Sequence, residues 1–330
     1  LSLEQCSSEI TARYKARLLQ GDSLTDLTGG FGIDCSFLAT GFKSATYVER
    51  QEELCEIAAH NFPVLNLNHI NIKNEDGVTY LQAMSPVDCL FLDPARRNEH
   101  GGKTVAISDC EPNVAELEEL LLQKANRVMI KLSPMLDLSL ALKELKQTQE
   151  VHILSVNNEC KELLILLGQT SPAEISIHCV NLFTKGTQKE QHFVFTREQE
   201  QCSECTYTDS LETYLYEPNA SLLKAGAFRS IAAAYPVRKL HPNSHLYTSD
   251  TFIENFPGRI FRIVNQCSFN KKEVKENLAD LKKANVTVRN FPATVAELRK
   301  RIHLAEGGDT YLFASTLNNG QKVLIRCEKV

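Results

Sequence analysis

The sequence predicts an α/β fold: a doubly wound, mostly parallel sheet with an antiparallel edge hairpin, then a small helical unit and a C-terminal α+β domain. Three observations carry this. Over residues 22–132, short apolar runs alternate with stretches long enough for helices, the signature of parallel strands joined by crossovers. The apolar runs 151–156 and 162–167 are separated only by Asn157-Asn158-Glu159-Cys160-Lys161, too short a link for a crossover helix, so they pair antiparallel. From Gly258 the pattern becomes strand, helix, strand, helix, strand, strand, and the charge changes sign.

Residues 3–20 mix Ile10, Tyr14, Leu18 and Leu19 with Arg13, Lys15 and Arg17, an amphipathic helix that Gly21-Asp22 breaks. The first strand ends at Asp26 and enters the turn Leu27-Thr28-Gly29-Gly30-Phe31-Gly32-Ile33-Asp34. A glycine turn at a strand's carboxyl end lets a ligand approach bare backbone, and Thr28, Gly29, Gly30, Phe31 and Gly32 are the expected contacts. Asp34 opens the following helix, where a pyrophosphate would meet a negative charge but the amino group and sulfonium of S-adenosylmethionine would be attracted. The dinucleotide fingerprint also fails on spacing, because Cys35 stands where its third glycine belongs.

The second strand, Ala45-Thr46-Tyr47-Val48, ends in Glu49, at the offset where an acidic side chain bonds ribose hydroxyls. Arg50 follows it, as a further cofactor contact or as an ion-pair partner. The third strand, 69–73, runs into Asn74-Glu75-Asp76-Gly77, where Asp76 either accepts from an adenine amino group or serves ordinary turn chemistry. The fourth, 87–92, ends in Asp93-Pro94-Ala95-Arg96-Arg97. Four successive strands therefore bring a carboxylate to the sheet edge at which open parallel sheets bind ligands.

A polar loop, His100-Gly101-Gly102-Lys103, precedes a helix expected to begin near Glu111-Pro112 and to carry Val114, Leu117, Leu120 and Leu121. The fifth strand, 127–132, stops at Ser133-Pro134 and places Lys131 at the ligand edge, as a substrate contact or a surface lysine. After the hairpin, the β-rich runs 175–183 and 192–196 extend the far edge, and 197–210 reads as a polar linker. A helical unit with Asn219 as cap follows. Domains are expected at 1–200, 211–256, a small ferredoxin-like or helical unit, and 257–330.

The segment from Asp22 to Arg97 resembles the class I S-adenosylmethionine-dependent methyltransferases, through the glycine turn with Asp26, Glu49, Asp76 and the Asp93-Pro94 loop. Most of the chain is similar to a bacterial group of these enzymes with a THUMP-like C-terminal domain. The match runs through Asp93-Pro94-Ala95-Arg96-Arg97, through Tyr216-Glu217-Pro218-Asn219-Ala220-Ser221-Leu222-Leu223-Lys224-Ala225-Gly226, and through the basic tail. The resemblance implies a Rossmann-like fold, S-adenosylmethionine as cofactor and an RNA substrate, tRNA or rRNA.

Methyl transfer is an in-line displacement, so catalysis can come largely from holding the acceptor near the methyl group. Asp93 and Pro94 are the candidates, the carboxylate and a backbone carbonyl accepting hydrogen bonds from an amino group that loses its proton. Amino-directed nucleic-acid methyltransferases usually carry an aromatic after this aspartate-proline pair; here Ala95 and Arg96 follow. Arg96 and Arg97 either hold a phosphate or stack on a base, or pair with neighbouring carboxylates.

Residues 258–330 hold 14 Lys plus Arg against seven Asp plus Glu, a net of +7, which leaves −12 for residues 1–257 of a chain whose net is −5. That asymmetry is the footprint of a nucleic-acid-binding appendage on an acidic catalytic body, with Lys271, Lys272, Lys275 and Arg289 as candidate contacts. The bland alternative is a solvated lysine face. No apolar run approaches the roughly 18 residues of a membrane span, no signal-peptide pattern opens the chain, and a cytoplasmic location without membrane partners is expected. Leu1 rather than Met stands first, which reads as a fragment boundary or a processed end. Most of the eleven cysteines sit singly in apolar contexts, as reduced core thiols do. Cys202-Ser203-Glu204-Cys205 lacks a second pair, so no metal is expected. The reading is an S-adenosylmethionine-dependent methyltransferase acting on RNA. The alternatives are methylation of a small molecule or protein, and a non-catalytic protein that binds S-adenosylmethionine and RNA. Oligomeric state is not legible.

Overall fold

The structure, a computed structural model, describes residues 6–96, 106–170 and 172–330. They form two units, 1–196 and 197–330.

In the first unit the strands are β1 Ser23–Asp26, β2 Ser44–Glu49, β3 Ile70–Asn74, β4 Val87–Leu92, β5 Ala125–Leu132, β6 Thr148–Val156, β7 Glu159–Gly168, β8 Ser176–Leu182 and β9 Glu190–Thr196. Their order across the sheet is β9-β8-β6-β7-β5-β4-β1-β2-β3. From β3 to β5 every pairing is parallel. β7 runs antiparallel to both β5 and β6, and only Asn157-Asn158 link it to β6, too short a connection for a crossover. β8 and β9 then extend the edge, parallel to β6 and antiparallel to β8 respectively. The strand order reverses between β1 and β4, which puts a crevice at their carboxyl ends. β4, β5 and β7 are buried along most of their length because helices cover the sheet, and this is why they read as continuous apolar runs.

Among the described residues six α-helices accompany this sheet: α1 Glu9–Ala16, α2 Ile33–Leu38, α3 Glu52–Val64, α4 Gly77–Ala83, α5 Val114–Lys124 and α6 Leu138–Glu144. α1 packs Tyr14 against a core that includes Phe91, Met129, Leu154 and Leu164. α3 packs Cys55, Ala58 and Phe62 against Tyr47. α5 begins two residues later than Pro112, because Asn113 accepts from the Ala115 N–H and fixes the start there. Cys110-Glu111 instead pairs with Ala95-Arg96 as a short antiparallel ladder directly after Asp93-Pro94.

The second unit begins with α7 Arg197–Cys202, where the sequence suggested only a linker. Glu200 on this helix accepts from the N–H groups of Phe228, Arg229 and Ser230, which are the exposed donors at the start of α9 Arg229–Ala234. A capping contact across some thirty residues leaves no local signal. α8 Ala220–Ala225 lies between them, with Asn219 accepting from the Leu222 N–H as expected.

The remaining elements are β10 Tyr214–Pro218, β11 Arg238–Lys239, β12 Tyr247–Ser249, β13 Gly258–Ser268, α10 Lys271–Leu278, β14 Lys283–Val288, α11 Val295–Ile302, β15 Ala305–Thr316 and β16 Lys322–Lys329. The sheet order is β11-β12-β10-β13-β16-β15-β14. β13 pairs with β10, so one sheet runs continuously across residue 257, and the middle segment contributes three strands to it as well as helices. Gly258 permits this join: a Cβ there would lie 2.2 Å from the Glu217 carbonyl oxygen. The last hairpin turns at Asn319-Gly320, with Gly320 at φ +87°.

Candidate active site

The sheet places Asp26, Glu49 and Asp93 at the carboxyl ends of β1, β2 and β4, neighbouring strands around the crevice. Asp26 is 1% exposed, and one carboxylate oxygen accepts from the Thr28 N–H at 3.0 Å. Burial pushes its carboxyl up to about 8, against that hydrogen bond. The turn that follows is possible only with glycines. A Cβ on Gly29 would lie 2.2 Å from the Tyr47 ring, and Gly30 and Gly32 adopt φ +54° and +74°. Phe31 lies half-buried between them.

Glu49 clamps the turn. Its Oε2 accepts from the Gly30 N–H at 2.9 Å and its Oε1 from the Gln51 N–H at 2.8 Å. Arg50 does not join it; this exposed side chain pairs with Glu111 at 3.3 Å. Asp76 accepts from the N–H groups of Val78 and Thr79 and so caps α4, the turn-chemistry alternative. Gly77 lets α4 start against β1: a Cβ there would meet the Leu27 carbonyl oxygen at 2.2 Å.

Asp34 corrects the sequence-based expectation most plainly. Its carboxylate is buried between two ammonium groups, with Lys15 Nζ 3.0 Å from Oδ1 and Lys131 Nζ 3.0 Å from Oδ2, and Ser7 donates to Oδ2 at 2.8 Å. Burial acts to raise its pKa, but the two lysines prevail and hold it below the usual carboxylate range. An anion already neutralised by two cations is no landing point for a cationic cofactor.

Lys131 is no surface lysine. It is 7% exposed, and its ammonium reaches Asp93 Oδ2 at 2.6 Å as well as Asp34. Burial alone would lower its pKa; the carboxylates of Asp93, Asp34 and Glu162 raise it above the ordinary lysine range instead. Lys15, fully buried, reaches Glu162 Oε2 at 2.5 Å. In the sequence Lys15 falls with Arg13 and Arg17 among the polar residues of an amphipathic helix, and neither Glu162 nor Ser7 stands out. The available signal was a glutamate at the head of an otherwise apolar run, which demands a partner.

Asp93 is joined to the glycine turn by its N–H, which donates to Thr28 Oγ1 at 2.6 Å. Its side chain stays 40% exposed while Pro94 is buried, so a carboxylate faces the crevice from a fixed support. Arg96 enters the short ladder with Cys110 through its backbone. Arg97 lies outside the described residues.

In the second unit, Lys271, Lys272 and Lys275 are exposed on α10, whose start is capped by Asn270. Arg289 is placed differently: it pairs with the buried Glu217 at 3.0 Å, and Arg259 pairs with the same carboxylate. It is a structural cation first, because Glu217, 1% exposed, needs that charge.

Residues 214–257 match the model of a ferredoxin-like domain, and residues 258–329 match a THUMP domain-like model. No curated protein matches the sequence. Among solved structures, a protein from Porphyromonas gingivalis W83 assigned as a methyltransferase is 37% identical over 99% of this chain and 82% of its own, with a TM-score of 0.90. An O-methyltransferase from Bacillus cereus is 12% identical over 50% of this chain and 83% of its own, with a TM-score of 0.39. An rRNA methylase from Streptococcus thermophilus is 14% identical over 48% and 93%, with a TM-score of 0.35. The last two are too remote to inform this site.

Proposed function

Since this chain belongs to the class I S-adenosylmethionine-dependent methyltransferases with a THUMP-like C-terminal domain, we propose that it methylates RNA, with Asp93 and Pro94 positioning the acceptor. The observation that carries this is the junction of Asp93 to both the glycine turn, through Thr28, and Lys131. One loop is thereby held against both the cofactor's cradle and the charged floor of the site.

The residues fit the cofactor. A glycine-rich turn, with Asp26 and Glu49 at the strand ends beside it, suits a nucleoside that carries cationic groups. Asp26 would face the amino group and Glu49 the ribose, with Thr28, Gly29, Gly30, Phe31 and Gly32 lining the turn and Asp76-Gly77 beside the base. When bound, S-adenosylmethionine supplies an electrophilic methyl group whose leaving group needs no acid. Burial raises the Asp93 pKa, and Lys131 works against that rise while holding the carboxylate oriented, so that Asp93 can accept a hydrogen bond from an attacking amino group. The net of +7 on residues 258–330 supplies the attraction for RNA, and Lys271, Lys272 and Lys275 are the contacts proposed.

Incubation with methyl-labelled S-adenosylmethionine and separate RNA, protein and metabolite fractions tests the reading. Label is expected in RNA. Label confined to another fraction overturns the substrate, and label in none overturns the activity.

Two quantitative results follow. Asp26 holds a proton below about pH 8 in the free protein, and a cationic ligand favours its ionised form. Binding therefore releases that proton, and cofactor affinity should rise between pH 6 and 7.5 by up to about tenfold per unit. Asp26→Asn should flatten this slope in a calorimetric titration. For RNA, affinity should fall with salt by roughly 0.7 log units per neutralised phosphate for each tenfold rise on a single strand. Reversing Lys271, Lys272 and Lys275 to Glu should reduce both the affinity and that slope in filter binding, with cofactor binding intact.

A further inference from the structure

Away from the crevice, the face of the first sheet under α1 carries a row of imidazoles. β6 sends Glu150 and His152 to this face, as residues two apart on one strand must go. β8 places His178 directly opposite His152, and β9 brings His192 beside it. One potential ligand atom from each of Glu150, His152 and His178 lies within 4.8 Å of the others.

We propose that Glu150, His152 and His178 bind one divalent transition-metal ion of the zinc type. The argument rests on how each side chain is held. Tyr14 Oη lies 2.8 Å from His152 Nδ1, which leaves Nε2, 3.2 Å from Glu150 Oε2, on the side of the carboxylate. Ser176 Oγ lies 3.1 Å from His178 Nε2, which leaves Nδ1. Arg127 donates to the other Glu150 oxygen at 2.9 Å. Metal-binding residues are characteristically oriented by such partners on the atom that does not ligate. Two imidazoles and a carboxylate suit zinc or cobalt(II) better than magnesium or calcium, and they leave a fourth position for water or His192. Burial and the neighbouring imidazoles hold His178 down at about 4, so it offers a lone pair at neutral pH.

The rings of His152 and His178 stack 4.3 Å apart, 19° from parallel. A tetrahedron with zinc bonds of about 2.0–2.1 Å has edges of about 3.3 Å. Occupation therefore draws the three atoms together and tilts His178 out of the stack, exchanging its 3.1 Å contact with His192 for the metal bond. Nothing in the sequence marks this group, since its ligands come from two strands with no motif spacing.

The test uses the full chain, freed of metal by a chelator, with Cys202→Ser and Cys205→Ser to silence that closely spaced thiol pair. Zinc displaced from a chromophoric chelator should give one site per chain, and cobalt(II) should give visible absorption without a thiolate charge-transfer band. His178→Ala and Glu150→Gln should each weaken zinc by about 100-fold or more. Absence of a stoichiometric site, or unchanged affinity in a folded His178→Ala chain, overturns the proposal. If that variant does not fold, imidazole NMR of the unsubstituted chain decides: zinc must shift His152 and His178, and unmoved resonances overturn the proposal.

Discussion

Asp93→Asn should lower single-turnover methyl transfer by about 100-fold or more while leaving the cofactor dissociation constant within about twofold. The size follows from positioning, since a small misplacement of reacting groups costs on that order. The amide keeps the shape of the side chain but loses its charge, so Lys131 no longer fixes it at 2.6 Å and one acceptor oxygen becomes a donor. Cofactor binding should persist because Asp26 and Glu49 end β1 and β2, the glycine turn follows β1, and their hydrogen bonds do not involve Asp93's carboxylate. An unchanged single-turnover rate would remove Asp93 from the chemistry. A parallel loss of cofactor affinity would place it in the cofactor's cradle instead.

The second large effect concerns stability. Lys15→Met should cost about 3–5 kcal/mol in urea denaturation, the scale for leaving a buried charge without its partner. Lys15 is fully buried and lies between Asp34 and Glu162; Asp34 retains Lys131, so the orphan is Glu162. The double variant Lys15→Met, Glu162→Leu should recover most of the loss, because a buried ion pair can be replaced by packed apolar groups at little net cost. A single variant costing under about 1 kcal/mol, within the range of an exposed pair, would mean that the network is hydrated.

The same residues mark the limits of the sequence. The parallel strands, the antiparallel pairing of the runs 151–156 and 162–167 and the carboxylates at the ends of β1, β2 and β4 are legible because local signals fix them: apolar run length, a link too short for a crossover, a charge at a strand's end. Asp34 was placed correctly at a helix start but its role was misjudged, since its partners lie 19 and 97 residues away, on α1 and β5. Arg289 looked like part of a basic patch for a similar reason, its carboxylate being 72 residues distant. Lys15 fits the polar side of an amphipathic pattern as well as any lysine; only the packed helix reveals which neighbours face it. Charge balance in a buried site is a tertiary property, and composition or periodicity reports it poorly.

The most direct test of the central claim is a calorimetric titration of the full chain with S-adenosylmethionine beside a nicotinamide dinucleotide. The fold accommodates either ligand class in principle; in the proposed reading the carboxylate of Asp26 at the end of β1 and the missing third glycine of the dinucleotide fingerprint, where Cys35 stands, select between them. S-adenosylmethionine should bind one per chain, weakened by about 1–3 kcal/mol in Glu49→Ala, the scale of a hydrogen bond to a charged group. The dinucleotide should give no binding heat. Saturable dinucleotide binding with none of S-adenosylmethionine would contradict the account.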